Sequence, residues 1–303
     1  MLENEDSWID RFVRHLRYER QLSPLTWRHY QREIEALRGY CDQQSLSRWA
    51  DLDSEHLRSF TAAGYRRGLS ARSLQRRLSA TRTFFRFLRR EKHLKSNPAE
   101  DVRAPKAAKR LPGNIDADRM AKLLDIRGEG PLVTRDRAIL ELLYSSGLRL
   151  AELTGLDIGH LDLPDALVRV TGKGSKDRIV PVGRYALEAL SAWLRERPSL
   201  AAPDETALFV SRAGGRLSGR SVQARVDYWA KRQGIDTKVH PHLFRHSFAS
   251  HLLESSHDLR GVQELLGHAN IGTTQVYTHL DFQHLAQIYD QTHPRARLKS
   301  RRK

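Results

Sequence analysis

Six polar side chains in the second half of the chain form an ordered set suited to phosphoryl transfer. Arg149 lies in Ser146-Gly147-Leu148-Arg149-Leu150-Ala151-Glu152-Leu153, and Lys173 in the turn Gly172-Lys173-Gly174-Ser175. His242 and Arg245 open and close His242-Leu243-Phe244-Arg245, with His246 next. His268 ends Leu265-Leu266-Gly267-His268, and Tyr277 sits in Thr273-Thr274-Gln275-Val276-Tyr277-Thr278-His279. Cutting and rejoining a nucleic-acid strand needs a nucleophile, charge stabilisation for a phosphorane-like transition state, and an acid for the departing 5′-oxygen. Two arginines suit the non-bridging oxygens, because a guanidinium is planar, bidentate and always charged. A lysine or histidine can serve as the acid, and a hydroxyl is the usual nucleophile.

Taken singly, each residue has an ordinary explanation. Arg149 near a helix start could be a surface arginine, Lys173 in a glycine-rich turn an exposed lysine, and Tyr277, one of nine tyrosines, half-buried packing. Histidines 240, 242, 246 and 251 also invite a metal reading, since His242 and His246 are i,i+4. No glutamate stands between them as in HExxH, and neighbouring arginines repel a cation, so no metal is expected.

Composition narrows the substrate. Fifty-two Lys and Arg against 36 Asp and Glu give a formal charge of +16 over 303 residues. Such a surplus fits a polyanion or an acidic membrane face. The basic residues recur along the whole chain rather than on one amphipathic helix or tail, which favours nucleic acid. No stretch approaches the roughly 18 apolar residues of a membrane span. The N-terminus carries Glu3, Glu5, Asp6 and Asp10 with no basic n-region, so no secretory signal is expected. The single cysteine, Cys41, forms no internal disulfide and removes zinc-ribbon and zinc-finger readings; it suits a reducing, cytoplasmic setting.

The elements that must position the six residues can be read from periodicity. The first 92 residues read as helices. One carries Trp8, Phe12, His15 and Leu16; a second follows Ser23-Pro24 with Tyr30, Ile34 and Leu37; a third follows Asp51-Leu52-Asp53 with Leu57 and Phe60. A fourth runs from Ser70 to Arg90 on Leu74, Leu78, Phe84, Phe85 and Leu88. It also carries Arg72, Arg76, Arg77, Arg82, Arg86, Arg89 and Arg90 with no acid among them. Solvated faces usually mix charges into i,i+4 pairs, so this face reads as a DNA backbone contact. Residues 93–112, with Pro98, Pro105, Pro112, Lys106, Lys109 and Arg110, read as an extended basic linker, a strap by which two domains could close around a duplex. Beyond it the pattern is mixed: a helix from Thr134 and Asp136 to Ser146-Gly147, a hairpin over 167–182, and helices near 184–196, 220–233, 242–255, 258–267 and 273–290.

In order and spacing, Arg149, Lys173, His242, Arg245, His268 and Tyr277 resemble the signature of the tyrosine recombinase (phage integrase) family. The likeness covers essentially the whole chain, and the Leu-Leu-Gly-His to Tyr-Thr-His spacing is highly specific. It implies a mainly α protein: an N-terminal helical bundle (a SAM-like core-binding domain, 1–92), the linker 93–112, and an α+β catalytic domain with a small antiparallel sheet, 113–303. It also implies roles. Tyr277 attacks the scissile phosphate and forms a 3′-phosphotyrosine; His242 assists its deprotonation; Arg149 and Arg245 hold the non-bridging oxygens; His268 adds a hydrogen bond; Lys173 protonates the leaving 5′-oxygen. Glu152, three residues beyond Arg149, orients that arginine. No cofactor, ATP or metal is expected, because the tyrosyl bond conserves the phosphodiester energy.

Val262 to His268, Tyr277 to Leu285 and the His293-Pro294-Arg295-Ala296 ending are most similar to the chromosome-dimer resolvases of bacteria within that family. That implies a sister recombinase as partner in a cyclic heterotetramer on a double-stranded recombination site, with a septal DNA translocase in control. A C-terminal helix over 281–291, capped by Asp281 with Phe282, Leu285, Ile288 and Tyr289 on one face, would dock into a neighbour. Phe244 stands where the family often has Leu, and Gly261 and Gly272 stand where a helix former and an N-cap serine are expected. A type IB topoisomerase-like enzyme, a non-enzymatic regulator on a decayed integrase fold and a histidine-metal hydrolase are the competing readings.

Overall fold

In a computed structural model, residues 5–106, 115–172, 177–256 and 262 are described. The chain divides into two units, Met1–Arg110 and Leu111–Lys303.

The first unit is built from capped amphipathic helices. Helix α1 (Ser7–Arg14) buries Trp8, Ile9, Phe12 and Val13, and continues as a π-helical turn, His15–Glu19. In α2 (Pro24–Gln43), Pro24 supplies the preset φ of a first helical residue and the Ser23 side chain accepts from the Thr26 N–H. Asp53 caps α3 (Ser54–Arg66) and Ser70 caps α4 (Ala71–Arg90) in the same manner. The apolar stripes meet in one core, where Phe84 sits edge-on to Phe12 at 5.2 Å and to Trp49 at 4.9 Å between ring centroids.

This core runs past residue 92. Ala99 and Val102 are fully buried within it, and Arg82 of α4 donates to both of their carbonyls. The expectation of an extended linker from 93 is therefore corrected: its first ten residues are part of the packed unit. Local composition suggested a strap, but two small apolar residues between prolines were enough to anchor the segment.

The second unit is organised around α6 (Pro131–Ser146), which is buried on nearly every side and packs against α8 (Arg184–Glu196) and α10 (Pro241–Ser256). It begins three residues before the expected Thr134, because Pro131 is favoured at a first helical position after Gly130. A short α5 (Ala117–Leu124), capped by Asp116, precedes it and buries Met120, Leu123 and Leu124. After α6 come α7 (Leu150–Thr154) and a three-stranded antiparallel sheet of β1 (Leu161–Asp162), β2 (Leu167–Thr171) and β3 (Asp177–Pro181), in that order. Val168 pairs with Val180 and Val170 with Arg178, the antiparallel pairing that the hairpin expected over 167–182 requires. Helix α9 (Gly219–Arg232) completes the unit; its Arg225 and Trp229 both donate to the fully buried Asp136 of α6. The protein is thus mainly helical with one small antiparallel sheet. Among the described residues no helix is long and apolar enough to cross a membrane.

Candidate active site

Arg149 owes its position to the end of α6. Gly147 takes up a left-handed conformation (φ 56°), which terminates the helix without the steric cost a side chain would incur. The chain turns, and Arg149 becomes the residue preceding α7, with extended backbone (ψ 150°). Glu152, three residues on, accepts the Arg149 backbone N–H through Oε2 at 2.8 Å and Arg149 Nη1 through Oε1 at 2.8 Å. The i+3 spacing of the sequence thus becomes a clamp. Glu152 is 3% exposed and Arg149 38%, so the carboxylate is buried beneath a guanidinium that reaches solvent.

Two further arginines converge there. Arg178, on β3, grips both Glu152 oxygens, Nη1 to Oε1 at 2.7 Å and Nη2 to Oε2 at 2.9 Å. Arg245, on α10, is buried and donates from Nη1 to the carbonyl of Gly147 at 2.8 Å, bracing the turn that delivers Arg149. Burial, and then the charges of Arg149 and Arg178, lower the Arg245 guanidinium to about 10, against the pull of Glu152. Arg245 therefore remains cationic at neutral pH. Burial alone would raise the Glu152 carboxyl, but hydrogen bonds from Arg178 and from the Arg149 backbone and side chain hold it at about 2. Among the described residues three cations gather about one carboxylate, a surplus of positive charge that suits an anion.

His242 lies one turn before Arg245 on α10 and is exposed, as is His246. Phe244, between the two site residues, is fully buried, so the larger side chain is accommodated in the core. His251, included in the metal reading, instead faces inward with its Nδ1 2.8 Å from the Tyr144 hydroxyl, and burial lowers its pKa. No group of three or more His, Cys, Asp or Glu suited to a metal ion occurs among the described residues. Lys173, His268, Tyr277, Gly261, Gly272 and the 281–291 helix lie outside the described residues.

Sequence reading missed Arg178. A signal was present: it stands two residues before Val180, so strand alternation puts a charged side chain on the buried face of β3. The arginines of α4 also separate into two groups. Arg72, Arg76, Arg86 and Arg89 are exposed. Arg77 instead pairs with Glu33 of α2 at 2.7 Å and lies 4.8 Å over the Phe60 ring, and Arg82 holds the 99–102 segment. The absence of acids within α4 was real, but its neighbours supply them: Glu33 pairs with Arg77, and Glu19 and Glu91 pair with the exposed Arg90.

Comparison with known proteins puts the chain in a definite class, the site-specific tyrosine recombinases, enzymes that recombine DNA. The phage integrase family model matches residues 114–284, and the N-terminal SAM-like domain of phage integrases matches residues 9–92. The chain belongs to this family. It is 53% identical over 289 residues to tyrosine recombinase XerC of Shigella flexneri, covering 95% of this chain and 97% of that one. The figures are the same for XerC of Escherichia coli (strain K12 / DH10B). Among solved structures it resembles XerH site-specific recombinase bound to difH substrate in a pre-cleavage complex, with TM-score 0.66 and 25% identity over 93% of this chain and 83% of that one. A lambda integrase(75-356) dimer bound to a COC′ core site shares the fold, with TM-score 0.68 and 20% identity over 90% and 97% of the two chains.

Proposed function

We propose that this recombinase acts with a XerD-like partner to resolve chromosome and plasmid dimers at cell division, through a 3′-phosphotyrosine on Tyr277. The observation that carries the reading is the cluster of Arg149, Arg178 and Arg245 about the carboxylate of Glu152. Such a cluster suits a phosphodiester whose negative charge grows during reaction. In this reading the Arg149 and Arg245 guanidiniums take the non-bridging oxygens. The Tyr277 oxygen attacks phosphorus, giving its proton to His242, and His268 adds a hydrogen bond. Lys173 donates a proton to the 5′-oxygen as its bond to phosphorus breaks. A tyrosine hydroxyl ordinarily titrates near ~10, so deprotonation accompanies attack. One phosphoester replaces another, and the exchange therefore proceeds without ATP or metal.

The setting is the cytoplasm, on a double-stranded recombination site. Two copies of this chain and two of a XerD-like recombinase form a cyclic heterotetramer, with a septal DNA translocase as its controller. The similarity to XerC supports this assignment. The domain scheme is a core-binding unit, a basic connection and a catalytic unit ending in a docking helix. Arg72, Arg76 and Arg86 are the phosphate contacts of α4; they are exposed.

The test is incubation with a nicked candidate site followed by denaturing electrophoresis. The wild-type protein forms a covalent protein–DNA band that is indifferent to EDTA, and Tyr277→Phe binds the site but forms none. An undiminished band with Tyr277→Phe, or its loss with chelator, overturns the assignment.

A further inference from the structure

A carboxylate offers about four acceptor positions, two on each oxygen. All four on Glu152 are taken: Oε1 by Nη1 of Arg149 and Nη1 of Arg178, Oε2 by the Arg149 backbone N–H and Nη2 of Arg178. The two arginines share them unequally. Arg178, only 18% exposed, makes the two-point fork, whereas Arg149, 38% exposed, spends one side-chain nitrogen on the pair. The remaining guanidinium donors of Arg149 make no hydrogen bond among the described residues, and they are what a phosphate needs.

Arg178 also sits at a junction. It is the second residue of β3, opposite Val170 in the hairpin, and its bond to Glu152 ties that hairpin to α7. In the last pair of that ladder, directly beside it, Thr171 donates to Asp177 at 2.7 Å. The Nε of Arg178 is buried without an acceptor among the described residues.

We propose that Arg178 is a positioning residue for strand cleavage: by occupying both oxygens of Glu152 it keeps Arg149 from folding back onto the carboxylate. This rests on the role of Arg149 given above. Without Arg178, two acceptor positions fall vacant and the Arg149 fork closes over both oxygens. That withdraws its donors from the phosphate.

The experiment measures single-turnover cleavage with saturating DNA on two nicked sites, one ordinary and one with a neutral methylphosphonate at the scissile position. Arg149→Ala, Arg178→Met, Arg178→Lys and the double variant Arg149→Ala/Arg178→Met are compared, with DNA affinity measured separately. Arg178→Met is expected to cleave the ordinary site about 100-fold more slowly, the usual consequence of a displaced catalytic group, at unchanged affinity. Its loss shrinks on methylphosphonate alongside that of Arg149→Ala, and the double variant is no slower than Arg149→Ala alone. Arg178→Lys keeps the charge and the fold but not the fork, so it repeats the pattern even where the methionine variant unfolds. Additive losses, or a loss undiminished on methylphosphonate, overturn the proposal. If Arg149→Ala itself cleaves at the wild-type rate, the assignment of Arg149 falls and this inference with it. If Arg149→Ala behaves as expected and both Arg178 variants do not, the inference alone fails.

Discussion

Replacing Glu152 with Gln keeps the shape of the side chain and removes its charge. The wild-type carboxyl is held at about 2 rather than 4.5, despite burial that by itself raises it. That difference corresponds to about 3 kcal/mol favouring the ionised form in the folded protein. At 3% exposure, little solvent screening reduces it. Glutamine also turns an amide N–H₂ toward guanidinium donors and leaves Arg149, Arg178 and Arg245 without their common anion. The expected cost at neutral pH is therefore about 3 kcal/mol, in the range for breaking one side of a buried ion pair. For a unit of this size, that lowers the melting temperature by roughly 6–12 °C. Because the folded-state value lies below the unfolded one, the contribution is complete above 4.5 and disappears as pH falls toward 2. Urea unfolding of wild type and Glu152→Gln at neutral pH and at about pH 3 measures the gap, which narrows with acid. A gap below about 1 kcal/mol at neutral pH, or one independent of pH, would refute the reasoning.

Three further outcomes are expected. Lys173→Ala cleaves an ordinary site poorly but is rescued by a 5′-bridging sulfur, which leaves without protonation; equal impairment on both substrates removes the general-acid role. Replacing Arg72, Arg76 and Arg86 together by Ala lowers the dependence of log affinity on log salt by up to about three, roughly one per phosphate contact. Arg77→Ala instead reduces stability through Glu33 and Phe60, and an unchanged slope in the triple variant returns this face to solvent. Truncation after Leu280 leaves binding to a single site intact in gel shift but abolishes recombination with a XerD-like partner; recombination at the wild-type rate, or unfolding, removes the docking role of 281–291.

Much of this molecule was legible where cause and effect are close in sequence. Ser23, Asp53 and Ser70 mark helix starts because a short polar side chain reaches backbone N–H groups two or three residues on. The 167–182 hairpin follows from alternation about a glycine-rich turn, and the Arg149–Glu152 clamp from i+3 spacing. Gly147 was readable as a helix end, and with it the place of Arg149 just beyond.

What the tertiary structure alone decided are contacts between residues far apart in the chain. Arg77 looked free because its acid, Glu33, lies 44 residues earlier on another helix. Residues 93–102 looked like a tether until Ala99 and Val102 were seen within the first core, with Arg82 satisfying their carbonyls. Arg178 reaches Glu152 across 26 residues, and Arg245 reaches the carbonyl of Gly147 across 98. Periodicity and capping report which face of an element is apolar and where that element begins. They carry no information on which buried carboxylate a given arginine will meet, because that depends on how the elements pack.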